Sequence, residues 1–144
     1  MKNFMCSGFI GFLLSMGSAM AKEVTVSIEG IEVERGGNIL LLVFLEVGFP
    51  KKHEQALQLI TVKADTEKKL LSFHTEREEL ALKVLHDEDE NGQVTKNWTG
   101  ILPAEGLGFS NNQKITLTGP PGYKKAKVSI SDDSSAFSIQ LRYP

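Results

Sequence analysis

Apolar and polar residues alternate along much of this chain. Val24, Val26 and Ile28 alternate with Thr25, Ser27 and Glu29, and Phe137, Ile139, Leu141 and Tyr143 with Ser138, Gln140 and Arg142. Ile115 and Leu117 alternate with Thr116 and Thr118, and Ala126, Val128 and Ile130 with Lys125, Lys127 and Ser129. Successive side chains of a strand point to opposite faces, so this period of two sets one row on a core and the other in water. Residues 39–45 form instead a continuous apolar run, opened by Gly36-Gly37-Asn38. Such a run predicts a central strand covered on both faces. Weaker strand signals lie at 57–64, 69–74 and 80–86, and Pro50 can open a short helix over 50–56. Seven or eight short strands between turn residues predict an all-β antiparallel sandwich of two sheets, with a small barrel as the alternative.

One region breaks the spacing. Residues 87–112 show no alternation, yet they hold Trp98, Ile101, Leu102, Leu107 and Phe109 beside five carboxylates. Loops this long within a domain are usually functional or disordered. Apolar residues of this size are expected to find packing partners, which favours an ordered functional loop.

The N-terminus changes the picture of where this domain works. Lys2 is followed by an uncharged stretch to Ala21, with its apolar centre at Phe9–Leu14 and a close on Ser18-Ala19-Met20-Ala21. Small residues at Ala19 and Ala21 fit signal-peptidase specificity, which predicts a signal peptide over 1–21 and a single domain over 22–144. An uncleaved anchor is the competing reading, weakened by the glycines, serines and alanines that dilute the run. The one cysteine, Cys6, precedes the apolar centre, so it is no lipidation site and leaves with the leader. A domain without cysteine has no disulfide and no thiolate metal site. It must be held by its core, and residues 22–144 suffice for one core. The address expected is exported, periplasmic or secreted.

Charge excludes further classes. The chain carries a net −2, one unit more negative without Lys2, and its basic residues are scattered. No footprint for nucleic acid or an anionic membrane appears, and no second apolar span follows the leader.

The candidate chemistry lies in Asp87-Glu88-Asp89-Glu90-Asn91-Gly92. Oxygen-bearing side chains at alternate positions before a glycine match the opening of a calcium loop, where they converge on one hard cation. The closing glutamate of an EF-hand is absent, because Trp98 holds its place. The candidate ligands are therefore Asp87, Asp89, Asn91 and Glu105, with Glu105 folding back and Thr95 or the Gln93 carbonyl filling in. A plain acidic turn competes with this reading, since Asn91-Gly92 is also a favoured hairpin dipeptide. Enzyme signatures are sparse. His53, His74 and His86 lack zinc-ligand spacing. His86 and Asp87 are adjacent on a strand and face opposite ways, which favours a structural role for the histidine. Carboxylate pairs for glycoside hydrolysis leave no sequence signature and stay open. Asn97-Trp98-Thr99 fits a glycosylation acceptor, of little weight beside a bacterial-looking leader.

The run Leu82–Gly92, with Gly100-Ile101, Pro103, Glu105-Gly106 and Gly108-Phe109-Ser110-Asn111-Asn112, resembles a family of bacterial exported proteins known as domain of unknown function 2141. The likeness continues through Pro120-Pro121-Gly122-Tyr123 and Ala126 to a closing strand at Tyr143. The chain departs from the family's pattern at Glu78-Glu79-Leu80, where a Pro-Gly turn and a tyrosine are usual, and at Thr95, where an acid is frequent. The resemblance implies an exported β-sandwich and no established activity. Phe109 is expected in the core, and Asn111 and Asn112 as caps of local backbone groups.

These readings converge on a sandwich of immunoglobulin-like or transthyretin-like plan that serves as a non-catalytic binding or scaffold module. Its ligand belongs to the envelope or exterior, and the 86–112 loop, with calcium as candidate cofactor, is its functional rim. The alternative is a carboxylate-dependent enzyme acting on an envelope or extracellular polymer. A binding module should expose apolar surface beside the loop, and an enzyme should show a cleft holding a carboxylate of raised pKa.

Overall fold

In the computed structural model, residues 20–144 are described, and all but Met20 and Ala21 of the expected leader lie outside the described residues. β1 (Lys22–Glu29) buries Val24, Val26 and Ile28, as its alternation predicts. It is the middle strand of a three-stranded sheet, between β4 (Lys69–Thr75) and β8 (Ser134–Gln140). β4 runs antiparallel to β1, with Val26 opposite Leu71, whereas β8 runs parallel, with Val26 opposite Phe137. The second sheet has the order β3 (Gln58–Lys63), β2 (Asn38–Phe44), β5 (Glu79–Asp87), β6 (Gly106–Phe109), and the short β7 (Val128–Ser129) pairs the start of β5. The all-β two-sheet sandwich is borne out, with eight strands among the described residues. The parallel β1–β8 pair is the exception within an otherwise antiparallel scheme. Among the described residues no helix is long and apolar enough to cross a membrane.

The second sheet is apolar on both sides. Toward the first sheet, Ile39, Leu41 and Val43 of β2 and Leu80, Leu82 and Val84 of β5 pack with Val24, Val26, Ile28 and Ile139. On the far side, Leu40, Leu42 and Phe44 join Leu85, Leu107 and Phe109, with Phe49, Val94 and Ile115 laid over them. β2 is thus covered on both faces, which its unbroken apolar run requires. Each fully buried Leu, Ile or Phe of these clusters contributes roughly 1.5–3 kcal/mol.

Several local expectations change. The 50–56 segment forms only a 3-10 turn over His53–Gln55. Ile115 and Leu117 make no strand, and Ala126 ends a one-turn helix, α1 (Tyr123–Ala126), rather than opening a strand. The 87–112 region contains β6. Its glycines hid it, and they are needed there: a Cβ at Gly106 would lie 2.5 Å from the Tyr143 ring, and one at Gly108 2.6 Å from Ile139. Past β8 the chain crosses to this sheet, where Leu107 and Arg142 exchange backbone hydrogen bonds of 3.0 Å.

Candidate functional site

β5 sets the geometry of the site. Its inward row ends at His86 and its outward row runs Ala81, Lys83, Leu85, Asp87, so His86 and Asp87 leave the strand on opposite faces as their adjacency requires. His86 is fully buried. The Gly36 carbonyl, 2.6 Å from Nε2, can only accept, so Nε2 carries the proton there. Nδ1 then accepts from the Tyr143 hydroxyl at 2.6 Å, and that hydroxyl in turn accepts the Glu32 N–H at 3.0 Å. Arg35 lies 4.6 Å over the Tyr143 ring and pairs with Glu32 and Glu88. Every polar atom of this histidine is matched within the fold, which is a structural role.

On the outer side the carboxylates of Asp87, Asp89 and Glu105 converge, with one oxygen of each within 4.8 Å of the others. Asp87 and Glu105 are buried and Asp89 is exposed. The two buried groups organise the loop. Asp87 accepts the N–H groups of Asn91 at 3.1 Å and Gly92 at 2.8 Å, and Glu105 those of Glu88 at 3.0 Å and Thr95 at 2.9 Å. Burial pushes the Asp87 carboxyl up, with Asp89 adding to the rise against the pull of the two N–H donors. Burial likewise raises Glu105, opposed by the Thr95 and Glu88 N–H groups. Asp89 is held below its ordinary range, chiefly by the Thr95 hydroxyl, which donates to it at 2.7 Å.

Three of the four expected ligands therefore meet, and the fold-back of Glu105 is seen. Asn91 is turned to its own loop, its amide oxygen accepting the Gln93 N–H at 2.9 Å and its amide donating to Thr95. Calcium ligands lie about 2.3–2.6 Å from the ion, so oxygens spaced like these fit around one, each keeping a lone pair beyond the N–H it accepts. Thr95 contributes a hydroxyl and a backbone N–H to the cluster in place of a charge.

The G-F-S-N-N segment anchors the loop. Phe109 is in the outer cluster, and the Ser110 hydroxyl donates to the Ala126 carbonyl at 2.5 Å while accepting the Leu82 N–H at 2.9 Å. Asn111 donates to the Lys125 carbonyl at 2.8 Å. The expected packing of the loop's large residues holds for Leu107 and Phe109 only. Trp98 is 96% exposed and Ile101 78%, and Leu102 and Leu117 are also exposed.

Of these exposed side chains, Ile101, Leu102 and Leu117 help to line a cavity of about 440 Å³ on the outer face of the second sheet. At its base is a residue that sequence reasoning passed over. Lys83 is buried, and its amine donates to the Pro50 carbonyl at 2.9 Å and to His53 Nε2 at 2.8 Å. His53 Nδ1 donates to the Gly92 carbonyl at 2.9 Å, which ties the lysine to the acidic loop. Burial lowers the Lys83 amine to about 8, and burial together with the Lys83 charge lowers His53. The available signal was a lone lysine inside the apolar stretch Leu80–Leu85, because long charged side chains seldom occupy the interior of a doubly covered strand.

The fold and this site define a β-sandwich whose second sheet carries a covered outer face and an acid-pinned loop at one end. The chain belongs to the family described as an uncharacterized protein conserved in bacteria (DUF2141), whose model matches residues 26–138. Neither a curated protein nor a solved structure matches the chain.

Proposed function

We propose that this protein is an exported, non-catalytic binding module, periplasmic or secreted, whose recognition surface is the rim around the outer cavity. The observation that carries this reading is the exposure of Ile101, Leu102 and Leu117 at the lining of that cavity, in segments tied by the Asn97–Leu102 and Thr116–Gly119 backbone hydrogen bonds. Large apolar groups held in water beside a concavity mark a place where a ligand replaces the water. The Asp87–Asp89–Glu105 cluster fits a weak calcium site that would fasten the loop framing this rim. An enzyme using carboxylates is less well supported. Asp87 and Glu105 have raised pKa values, and Glu105 lines a second cavity of about 300 Å³, but all four of their oxygens accept backbone N–H groups, and neither residue lines the cavity of about 440 Å³.

The test is nuclear magnetic resonance of the labelled protein titrated separately with octanol, glucose and triglycine. Shift changes concentrated in residues 93–120 are expected with octanol. Changes spread over both sheets, or none in 93–120 with any probe, would overturn the reading.

A further inference from the structure

The lining of the outer cavity is asymmetric in charge. Lys51, Lys83, Lys96 and His53 contribute to it, and no aspartate or glutamate does among the described residues. Gln93 and Thr116 add uncharged polar groups, and much of the remaining wall is apolar, with Val94, Leu107, Phe109 and Ile115 continuing the outer hydrophobic cluster. Its volume falls within the roughly 300–1,000 Å³ of ordinary small-ligand pockets.

Lys83 gives this cavity a definite chemical character. A protonated amine has three N–H bonds, and the described residues supply acceptors for two of them, the Pro50 carbonyl and His53 Nε2. Both acceptors are uncharged, because His53 already donates through Nδ1 and offers only the lone pair on Nε2. A buried cation with a spare donor and no counter-ion is stabilised most by an anionic oxygen delivered to it. Lysine is seldom placed on a doubly covered strand for packing alone, since an apolar residue of similar volume fills the space without the charge.

We propose that the cavity binds a small amphipathic carboxylate, an unbranched fatty acid or a compound of that shape, with its carboxylate on the Lys83 amine and its tail along Leu107, Phe109 and Ile115. This rests on the rim being a binding surface and adds the chemistry of what enters it. Lys51 and Lys96 at the lining add the same sign of charge and favour anions over cations.

Calorimetric titration of the purified protein with octanoate, octanol and octylamine tests this, because the three share a tail and differ in head group. Octanoate is expected to bind at least about tenfold more tightly than octanol, the gain of one charge-assisted hydrogen bond, and octylamine more weakly than either. Lys83→Met keeps an unbranched stem of similar length and should abolish the preference for the acid while leaving octanol bound. Ile115→Trp, at a half-buried position, should narrow the cavity and weaken both. Equal binding of acid and alcohol, or an acid preference that survives Lys83→Met, overturns the carboxylate and leaves the rim reading standing. Absence of binding by all three probes overturns both. Undiminished binding in Ile115→Trp overturns the placement in this cavity.

Discussion

The two faces of the second sheet each bury a basic side chain of β5, and they treat it in opposite ways. On the inner face, His86 has an acceptor for its one N–H and a donor for its one lone pair, and no charge is required of it. On the outer face, three residues earlier, Lys83 is held by two neutral acceptors and borders a cavity. A polar group closed on itself specifies a unique packing, while one left with a surplus donor carries an unrelieved electrostatic cost. The contrast separates a polar residue that belongs to the fold from one that belongs to a site.

The largest expected effect tests that cost directly. The Lys83 amine falls from 10.5 in the ordinary lysine to about 8 in the fold. Below the lower value both folded and unfolded chains are protonated, and the fold bears the full penalty of the buried charge. Between the two values the unfolded chain keeps a proton that the folded chain has lost, so stability rises with pH. Over the whole window the gain is about 3 kcal/mol, with roughly two-thirds of it reached by about pH 9.5. Tyr123 and Tyr143, raised by burial, work in the other direction near and above their ordinary range, so the comparison belongs below about pH 10. Urea unfolding at stepped pH should show the rise in wild type, and Lys83→Met should be more stable at neutral pH and lack the slope. A wild-type stability that is flat across the window would remove the distinction between the two faces.

The inner face should respond to the opposite kind of change. Tyr143→Phe keeps the ring beside His86 and Arg35 but deletes the hydroxyl that donates to His86 and accepts from Glu32. Two polar groups then lose a partner within the fold, at a cost of about 2 kcal/mol. Denaturant midpoints of wild type and variant measure it, and a change under about 0.5 kcal/mol, the scatter of surface substitutions, would mean that water reaches the histidine and the inner network is not closed.

How much of this was legible in the sequence follows from the same contrast. Alternation located β1 and β8, and the unbroken run 39–45 announced β2 as doubly covered, because burial on each face leaves its mark on residue type. The direction of a strand leaves no such mark, and so the parallel β1–β8 pairing could not be read. β6 was hidden because Gly106 and Gly108 stand where a strand pattern needs side chains, and the reason lies in Tyr143 and Ile139, distant in sequence. The acidic loop was readable by residue type, since carboxylates spaced around Asn91-Gly92 have few local uses. Its closure by Glu105 was an inference about folding back, while the local engagement of Asn91 depends on backbone geometry. Lys83 and His53 were invisible as a pair because they lie 30 residues apart and meet only when β5 and the 50–56 segment share one face.

The smallest effect concerns the loop to which the outer face is tied. If the cluster of Asp87, Asp89 and Glu105 holds calcium, an ion bound by the folded loop and not by the unfolded chain adds stability by mass action. Three carboxylates with Thr95 as the neutral fourth group suit a weak site, in the range of roughly 0.1–1 mM. Calcium at about ten times the dissociation constant then contributes about 1.4 kcal/mol, a rise of roughly 5 °C in melting temperature for a domain of this size. Melts in millimolar calcium and in chelator, run beside Asp87→Ala and Asp89→Ala, measure it. Asp89 is exposed, so Asp89→Ala should remove the calcium response with little change in chelator. Asp87→Ala should also destabilise in chelator, since the Asn91 and Gly92 N–H groups lose their acceptor. Magnesium, which demands near-octahedral geometry, should substitute poorly. Identical melts with calcium and with chelator would reduce the cluster to a turn that folds around its own backbone donors. The outer loop would then be as closed on itself as the inner histidine, and the spare donor of Lys83 would be the remaining feature that separates the two faces.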